Sequence, residues 1–390
     1  MSRTVEVLSV FGTRPEAIKM APLVAELQRR PLFRSRVCVT AQHRELLDMV
    51  NRHFAISPDF DLDVMRAGQT LCGLASRVLA GMEQVFAQAA PALVLVHGDT
   101  ATTAVCALAA FYAGIPVGHV EAGLRTFDRR SPFPEEGNRL VAGHLADIHF
   151  APTARNAQYL KQENIKKNVY ITGNTVIDAL AYTVRPDYAF AQPALQDLAT
   201  RFAHTVVVTA HRRENHGAPL EQICGALRTL AGRYPDTCFV YPVHPNPAVR
   251  QTAERLLSGL PNLLLLPPLD TADMHNLMAR CRFVMTDSGG LQEEAPALGK
   301  PVLVLRRETE RPEAIEAGTA LLCGTRQEAV VAAAVRLLED EAAYQAMAQA
   351  INPYGDGRAS PRIADAIEHF FGLRELPPPP FLGCAEGGGD

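Results

Sequence analysis

Two doubly wound α/β domains in tandem are the fold this sequence predicts, and three observations predict it. Short β-rich apolar runs alternate with helical patterns from end to end, as parallel sheets with crossover helices require. The alternation runs through six strands, breaks, and restarts with six more. At 390 residues the chain exceeds what one core typically organises and suits two.

The first set of strands is expected at residues 5–10, 36–40, 93–96, 117–120, 148–151 and 169–172, with helical stretches between them. Residues 182–200 then mix Pro186, Pro193 and polar side chains, so the domain boundary is placed within 173–200. The second set is expected at 205–209, 238–243, 263–266, 283–286, 301–305 and 320–323. A ligand-holding cleft between the two domains follows as an expectation. A last helix is expected over 360–371, and the tail after it, four prolines and a Gly-rich acidic end, is expected to be disordered.

Composition excludes several functions. Apolar residues make up 47% and charged residues 21%, as in ordinary globular proteins, and a net charge of -4 leaves no excess of cations for a nucleic-acid backbone. Eight cysteines are scattered without a Cys-x-x-Cys pair, and the N-terminus has no secretory pattern, so a reducing, cytoplasmic setting is expected. No apolar run approaches the ~20 residues a membrane helix needs.

In open α/β sheets ligands sit beyond the carboxyl ends of the strands, and the polar residues cluster there. The run Thr286-Asp287-Ser288-Gly289-Gly290-Leu291-Gln292-Glu293-Glu294 follows a strand and opens a helix. Two glycines admit an anion close to backbone N–H groups, Ser288 adds a hydroxyl, and Glu294, one turn on, is placed to take the hydroxyls of a ribose. The same run also reads as an ordinary helix start capped by Ser288. After the first strand, Gly12-Thr13-Arg14-Pro15-Glu16-Ala17-Ile18-Lys19 brings two cations that suit a polyphosphate, or a solvated helix start. Asp99 and Glu121 each end a strand, and Glu135 lies in a proline-stiffened loop entering a helix. If the three converge, carboxylates in one partly dry site divide into acids and bases, as proton transfer at carbon requires. Singly, Asp99 can cap the helix at Thr100, Glu121 can pair with Arg125, and Glu135 can favour a helix N-terminus. His211 shares its strand-end loop with Arg212 and Arg213, placed to donate to a phosphate or to titrate near neutral pH. His244, between Pro242 and Pro245, reads as a rigid wall.

Gly-x-Gly-x-x-Gly after the first strand, a P-loop and Gly-x-Ser-x-Gly are all absent, and no metal-ligand set appears. The residues alone therefore describe a two-domain protein that binds a nucleotide-diphosphate conjugate and moves protons.

Taken together, Gly12-Thr13-Arg14-Pro15-Glu16, His97-Gly98-Asp99-Thr100, Glu121-Ala122-Gly123-Leu124-Arg125, Pro134-Glu135-Glu136, Thr172-Gly173-Asn174-Thr175, His211-Arg212-Arg213-Glu214, the Ser288 run and Glu310-Arg311-Pro312-Glu313 resemble the bacterial non-hydrolysing UDP-N-acetylglucosamine 2-epimerases. The likeness covers about residues 5–370. It implies two Rossmann-like domains in a glycosyltransferase-B-like arrangement with the active site in the interdomain cleft, at 1–175 and 176–357, a helix at 358–373 returning to the first, and a disordered tail at 374–390. It implies a homodimer that interconverts UDP-GlcNAc and UDP-ManNAc through 2-acetamidoglucal for cell-surface polysaccharide, with no cofactor and no obligatory metal. By position it makes Asp99, Glu121, Glu135 and His211 catalytic. Arg14 and Lys19 become cleft cations, Ser288, Gly289 and Gly290 the diphosphate cradle, Glu294 the ribose contact and Arg311 a further nucleotide contact.

Two departures stand out. Near Leu269, Met274 occupies a place where relatives line the uracil pocket with phenylalanine. Relatives activated by a second UDP-GlcNAc carry two glutamines and an arginine where this chain has Gln42, Glu45 and Gly68, so weaker or absent activation is expected. Rival readings are a hydrolysing 2-epimerase that releases UDP and free ManNAc, an epimerase of a modified UDP-sugar, and a non-catalytic sugar-nucleotide sensor; the last has no use for the four catalytic side chains.

Overall fold

The computed structural model describes residues 4–41, 47, 50–51, 54–66 and 68–383. Its contacts divide the chain into one unit of residues up to Tyr182 together with 354–383, and a second of 183–353.

In the first unit seven strands form one parallel sheet: β1 (Val5–Phe11), β2 (Phe33–Val39), β3 (Phe60–Asp61), β4 (Leu93–His97), β5 (Val117–Val120), β6 (Ile148–Ala151) and β7 (Val169–Ile171). Their order is β3-β2-β1-β4-β5-β6-β7. β3 escaped the sequence reading because it is only two residues, paired through Cys38↔Phe60 and Val39↔Asp61. Helices α1 (Arg14–Arg29), α2 (Leu71–Ala89), α3 (Ala101–Tyr112), α4 (Glu135–Leu145) and α5 (Ala154–Gln162) lie between strands, and α6 (Thr175–Thr183) follows the last of them. The central strand β4 (Leu-Val-Leu-Val-His) is buried throughout because both faces of the sheet are covered. Met20, Leu23 and Val24 of α1 cover one face with Ile363 and Ile367; Leu74, Val78 and Met82 of α2 cover the other.

The second unit repeats the plan with β8 (His204–Thr209), β9 (Thr237–Pro242), β10 (Leu263–Leu266), β11 (Phe283–Thr286), β12 (Val302–Val304) and β13 (Ala320–Leu322), in the parallel order β10-β9-β8-β11-β12-β13. After a single helical turn at Leu198–Arg201, its helices are α7 (Ala218–Arg233), α8 (Pro247–Leu257), α9 (Thr271–Arg280), α10 (Gly289–Ala297), α11 (Pro312–Glu316), α12 (Gln327–Glu339) and α13 (Glu341–Ala348). The expected pair of parallel α/β domains is what the chain forms. Strand order reverses between β1 and β4 in one sheet and between β8 and β11 in the other, and at such switch points the loops diverge to leave a binding crevice.

Two boundary expectations need correction. The helix from Thr175 stays with the first unit, because buried Asp178 accepts the Ala359 and Ser360 N–H groups at 3.0 and 2.6 Å, at the start of α14 (Ala359–Phe370). A tail disordered from 374 on is also wrong for residues 374–383. Phe381 is buried, its N–H donates to the Ile171 carbonyl at 2.8 Å beside edge strand β7, and the Arg362 guanidinium lies over its ring. One apolar anchor among prolines is invisible to composition. Residues 384–390 lie outside the described residues.

Candidate active site

In the first unit the loops after β1, β4 and β5 carry the polar residues. Thr13 starts α1 with Pro15 in its first turn and Glu16 three residues on, the pattern of a capping box. Glu16 is buried, and its carboxylate accepts the N–H groups of Gly12 at 3.0 Å and Thr13 at 2.7 Å. Its other oxygen takes the Thr100 hydroxyl at 2.6 Å, so one acid ties the loop after β1 to the loop after β4. Burial raises the Glu16 carboxyl above its ordinary range, against these donors. Gly12 is required here: a Cβ would stand 2.0 Å from the Thr40 hydroxyl and 2.6 Å from that of Thr102.

Glu121 directly follows β5 with φ of 63°, a left-handed backbone that a glutamate adopts only when its surroundings impose it. Its side chain pairs with Lys19, and Asn174 Nδ2 donates to the same oxygen, Oε2, at 2.9 Å. Among the described residues Oε1 takes no hydrogen bond. Burial pushes this carboxyl up, but the Lys19 ammonium, with the Asn174 bond, outweighs it and holds Glu121 well below the carboxylate range. The expected alternative pairing with Arg125 does not occur, because Arg125 makes a two-pronged contact with Glu163 at 2.7 and 2.8 Å. His97 ends β4 with Nε2 at 3.8 Å from Glu121 Oε2, and burial lowers its pKa to about 4. His119, lowered to about 3 by burial, is neutral and contacts the Gly98 carbonyl through Nε2 at 2.8 Å.

Asp99 does not cap α3, whose cap is Thr100 accepting from the Thr103 N–H. Arg139 of α4 holds its Oδ2 through Nε at 3.0 Å and Nη2 at 2.6 Å, while Asn138 donates to its carbonyl. Arg139 also reaches buried Glu136 at 2.9 Å, whose other oxygen accepts the Thr126 and Phe127 N–H groups. Glu135 is the first residue of α4 and half-buried. Among the described residues no hydrogen bond joins it to Asp99 or Glu121; its neighbour Glu136 is the acid tied to Asp99, through Arg139. Arg14 is the first residue of α1.

The second unit gathers its residues the same way. Asp287, just after β11, is fully buried; its Oδ2 accepts the N–H groups of His211 and Arg212 at 2.7 and 2.8 Å and the Asn215 amide at 2.9 Å. Its Oδ1 lies 3.3 Å from His211 Nδ1. On its other side the His211 ring stacks on His244, with centroids 5.4 Å apart and planes 8° apart, so the predicted wall is itself a ring partner. Burial lowers the His211 pKa, and Asp287 opposes that.

Ser288 is the N-cap of α10 without a side-chain capping bond, and Gly289 and Gly290 are its first helical residues. The leading N–H groups of a helix have no partner within it. A Cβ on Gly289 would lie 2.5 Å from Arg311 Nη1, so this glycine lets the guanidinium rest on the helix start. Arg311 is fixed by buried Glu293 at 2.6 Å. Glu294 lies back over Gly290 and is 3.3 Å from His275 Nε2. Glu310, flanked by Arg311 and Arg306, falls to about 2 although burial pushes it up. Leu269 is buried just before α9, and Met274 is half-buried on it. Gln42 and Glu45 lie outside the described residues, and Gly68 is exposed.

Sequence reasoning assigned no role to Glu16, His97, Arg139, Asn174, His275 and Asp287. Glu16 carried a readable signal in its capping-box spacing from Thr13, and His97 and Asp287 carried only their place at a strand's end.

Rossmann-like α/β units with charged loops at both switch points define a nucleotide-handling class of protein. The sequence model described as UDP-N-acetylglucosamine 2-epimerase matches residues 25–368, and the chain belongs to that family. It is 53% identical over 372 residues to the UDP-N-acetylglucosamine 2-epimerase of Yersinia pestis, covering 93% of this chain and 98% of that one. With the UDP-N-acetylglucosamine 2-epimerase of Bacillus subtilis (strain 168) it shares 50% identity over 382 residues, 98% of this chain and all (100%) of the other. The crystal structure of UDP-GlcNAc 2-epimerase from Neisseria meningitidis bound to UDP-GlcNAc superposes with a TM-score of 0.85 at 44% identity, over 94% of this chain and 100% of that one. Among the described residues no helix is long and apolar enough to cross a membrane.

Proposed function

We propose that this chain is a non-hydrolysing 2-epimerase that interconverts UDP-GlcNAc and UDP-ManNAc. The observation that carries the reading is Glu121, a carboxylate held in a left-handed backbone with both its donors on Oε2 and its second oxygen uncommitted. Such an oxygen is positioned to exchange a proton with carbon.

In this reading the second unit holds the nucleotide. The α10 N-terminus with Ser288, Gly289 and Gly290 receives the diphosphate, Arg311 and His211 add donors, Glu294 takes the ribose hydroxyls, and Leu269 and Met274 face the base. The first unit handles the sugar. A carboxylate of the Asp99, Glu121 and Glu135 set removes the C2 proton as the C1–O bond breaks, and UDP leaves with that electron pair. 2-Acetamidoglucal remains, with a C1–C2 double bond. A proton then returns to C2 from the opposite face while a UDP oxygen re-forms the bond to C1. The steps sum to an isomerisation, so no oxidant, reductant or water is consumed. The C2 proton is poorly acidic, so stabilisation of the departing diphosphate by fixed donors supplies much of the acceleration. Arg14 and Lys19 of the first unit are further cations in this reading, and Lys19 leaves Glu121 when it turns to an anionic group of the substrate, raising the basicity of the carboxylate when substrate is present. A homodimer acting in the cytoplasm on precursors of surface polysaccharide completes the reading, and family likeness supports it.

The test is a proton NMR time course with UDP-GlcNAc in D2O. UDP-ManNAc beside residual substrate, deuterated at C2, is the expected result. Free ManNAc with UDP would establish the hydrolysing reaction instead, and an unchanged spectrum would remove this substrate.

A further inference from the structure

His97 is a buried side chain beside Glu121. It is 3% exposed, and its two ring nitrogens, Nδ1 and Nε2, are both without a hydrogen-bond partner among the described residues. A buried polar group without a partner costs stability, and most such groups in native proteins are paired. A strand residue buried on an apolar sheet is ordinarily Val or Ile, so the imidazole has no packing reason to stand there.

Its surroundings indicate what it is for. Nε2 stands 3.8 Å from Glu121 Oε2, just beyond hydrogen-bond reach, and that oxygen already accepts from Lys19 and Asn174. The charged groups acting on His97 are Glu121 from the loop after β5, Lys19 from α1 and Asp99 from the loop after β4. Burial keeps the ring neutral at physiological pH, so it can donate one hydrogen bond without adding charge. Should Lys19 swing toward an anion, Glu121 Oε2 loses its strongest partner, and a small rotation of His97 brings a donor within range.

We propose that His97 is a positioning residue for Glu121, donating from Nε2 to Oε2 once Lys19 turns to an anionic group of the substrate, so that Oε1 stays aimed while the carboxylate gains basicity. This rests on the acid/base role of Glu121 given above. It explains why a costly orphan is retained: its partner becomes available only in the substrate complex.

The experiment compares His97→Phe, which keeps a flat ring without a donor, with His97→Gln, whose amide nitrogen reaches about as far as Nε2. For His97→Phe we expect kcat to fall about 10- to 100-fold, the loss of one hydrogen bond to a charged group, with KM within about 2-fold. Its Tm stays level or rises, because an apolar ring replaces an unpaired polar one. The limb of the kcat–pH profile that belongs to Glu121 moves to higher pH, since a donor to the charged form had lowered that pKa. His97→Gln recovers most of kcat and the original limb. Wild-type kcat and pH profile in His97→Phe would overturn the proposal, as would equal impairment of the two variants or a matching collapse of both melting temperatures, which are the marks of a packing role. Glu121→Gln, with His97 intact, tests the underlying reading separately: full turnover there removes Glu121 from the chemistry whatever His97 does.

Discussion

Replacing Lys19 by Met removes the ammonium that keeps Glu121 ionised while leaving the apolar stem in place. The two side chains are 14% and 11% exposed, so this is close to a buried pair. Breaking a buried pair from one side costs about 3–5 kcal/mol, and the remaining Asn174 bond puts this case near the lower end, at about 3 kcal/mol. For a unit of this size that corresponds to a fall in Tm of about 6–12 °C. The loss should depend on pH in a definite direction. In the wild type the folded Glu121 carboxyl lies below its unfolded value, so the pair's stabilisation is present above the ordinary carboxylate range and fades as pH falls through the folded value. In Lys19→Met burial raises the same carboxyl instead, so the penalty grows as pH climbs above the unfolded value. The deficit is therefore widest near about pH 8 and narrows toward about pH 4.5. Thermal denaturation at both pH values, on Lys19→Met, Glu121→Gln and the double variant, isolates the pair from any other contact Lys19 makes. Adding Glu121→Gln should restore most of the lost stability, because an amide does not need the cation. An equal deficit at the two pH values, or no recovery in the double variant, would refute the claim that Lys19 sets the charge of Glu121.

The remaining predictions concern the second unit and regulation. Gly289→Ala sets a methyl 2.5 Å from Arg311 Nη1 and should displace the guanidinium from the helix start, weakening UDP binding about 10-fold by calorimetry; unchanged affinity in a folded variant would take Arg311 away from the nucleotide. Asp287→Asn turns an amide or its oxygen toward His211 Nδ1 and disturbs the three bonds at Oδ2, so kcat should drop about 100-fold, with a wild-type rate counting against Asp287 as the residue that orients His211. With Glu45 and Gly68 at places where activated relatives carry glutamine and arginine, turnover of UDP-ManNAc should proceed without added UDP-GlcNAc. A sigmoidal curve that UDP-GlcNAc alone restores would show that activation persists.

Much of the architecture was legible because a buried parallel strand is written locally, as a short run rich in apolar residues that ends in Gly or a polar turn. β5, β6, β10 and β11 were placed to the residue for that reason. β3 carries no such run; its two residues pair only because β2 already presents an edge. The catalytic loops were legible as polar residues at strand ends, yet their partners were not. That Lys19 meets Glu121 across 102 residues, or that Arg125 turns to Glu163 and leaves Glu121 to the lysine, follows from sheet order, which no local pattern encodes. Glu135 shows the same limit at closer range: adjacent carboxylates at a helix start differ only by rotation about the axis, and it is Glu136 that turns inward to Arg139.

The two units solve one problem in the same way. A switch point leaves two loops diverging from neighbouring strands, and side chains on such loops stay imprecise unless something joins them. Glu16 joins the loops after β1 and β4, and Asp287 joins those after β8 and β11, each by accepting backbone N–H groups from one loop while anchored to the other. A buried carboxylate is expensive unless its oxygens are filled, and each of these takes at least three donors. An apolar residue would pack as well but could hold no N–H group in place. Glu16 thereby sets the approach of α1, and with it Lys19, to the loop that carries Asp99, and Asp287 sets the His211 ring before the start of α10. The acids that do not touch the substrate in this scheme are the ones that make the geometry of the reacting groups reproducible.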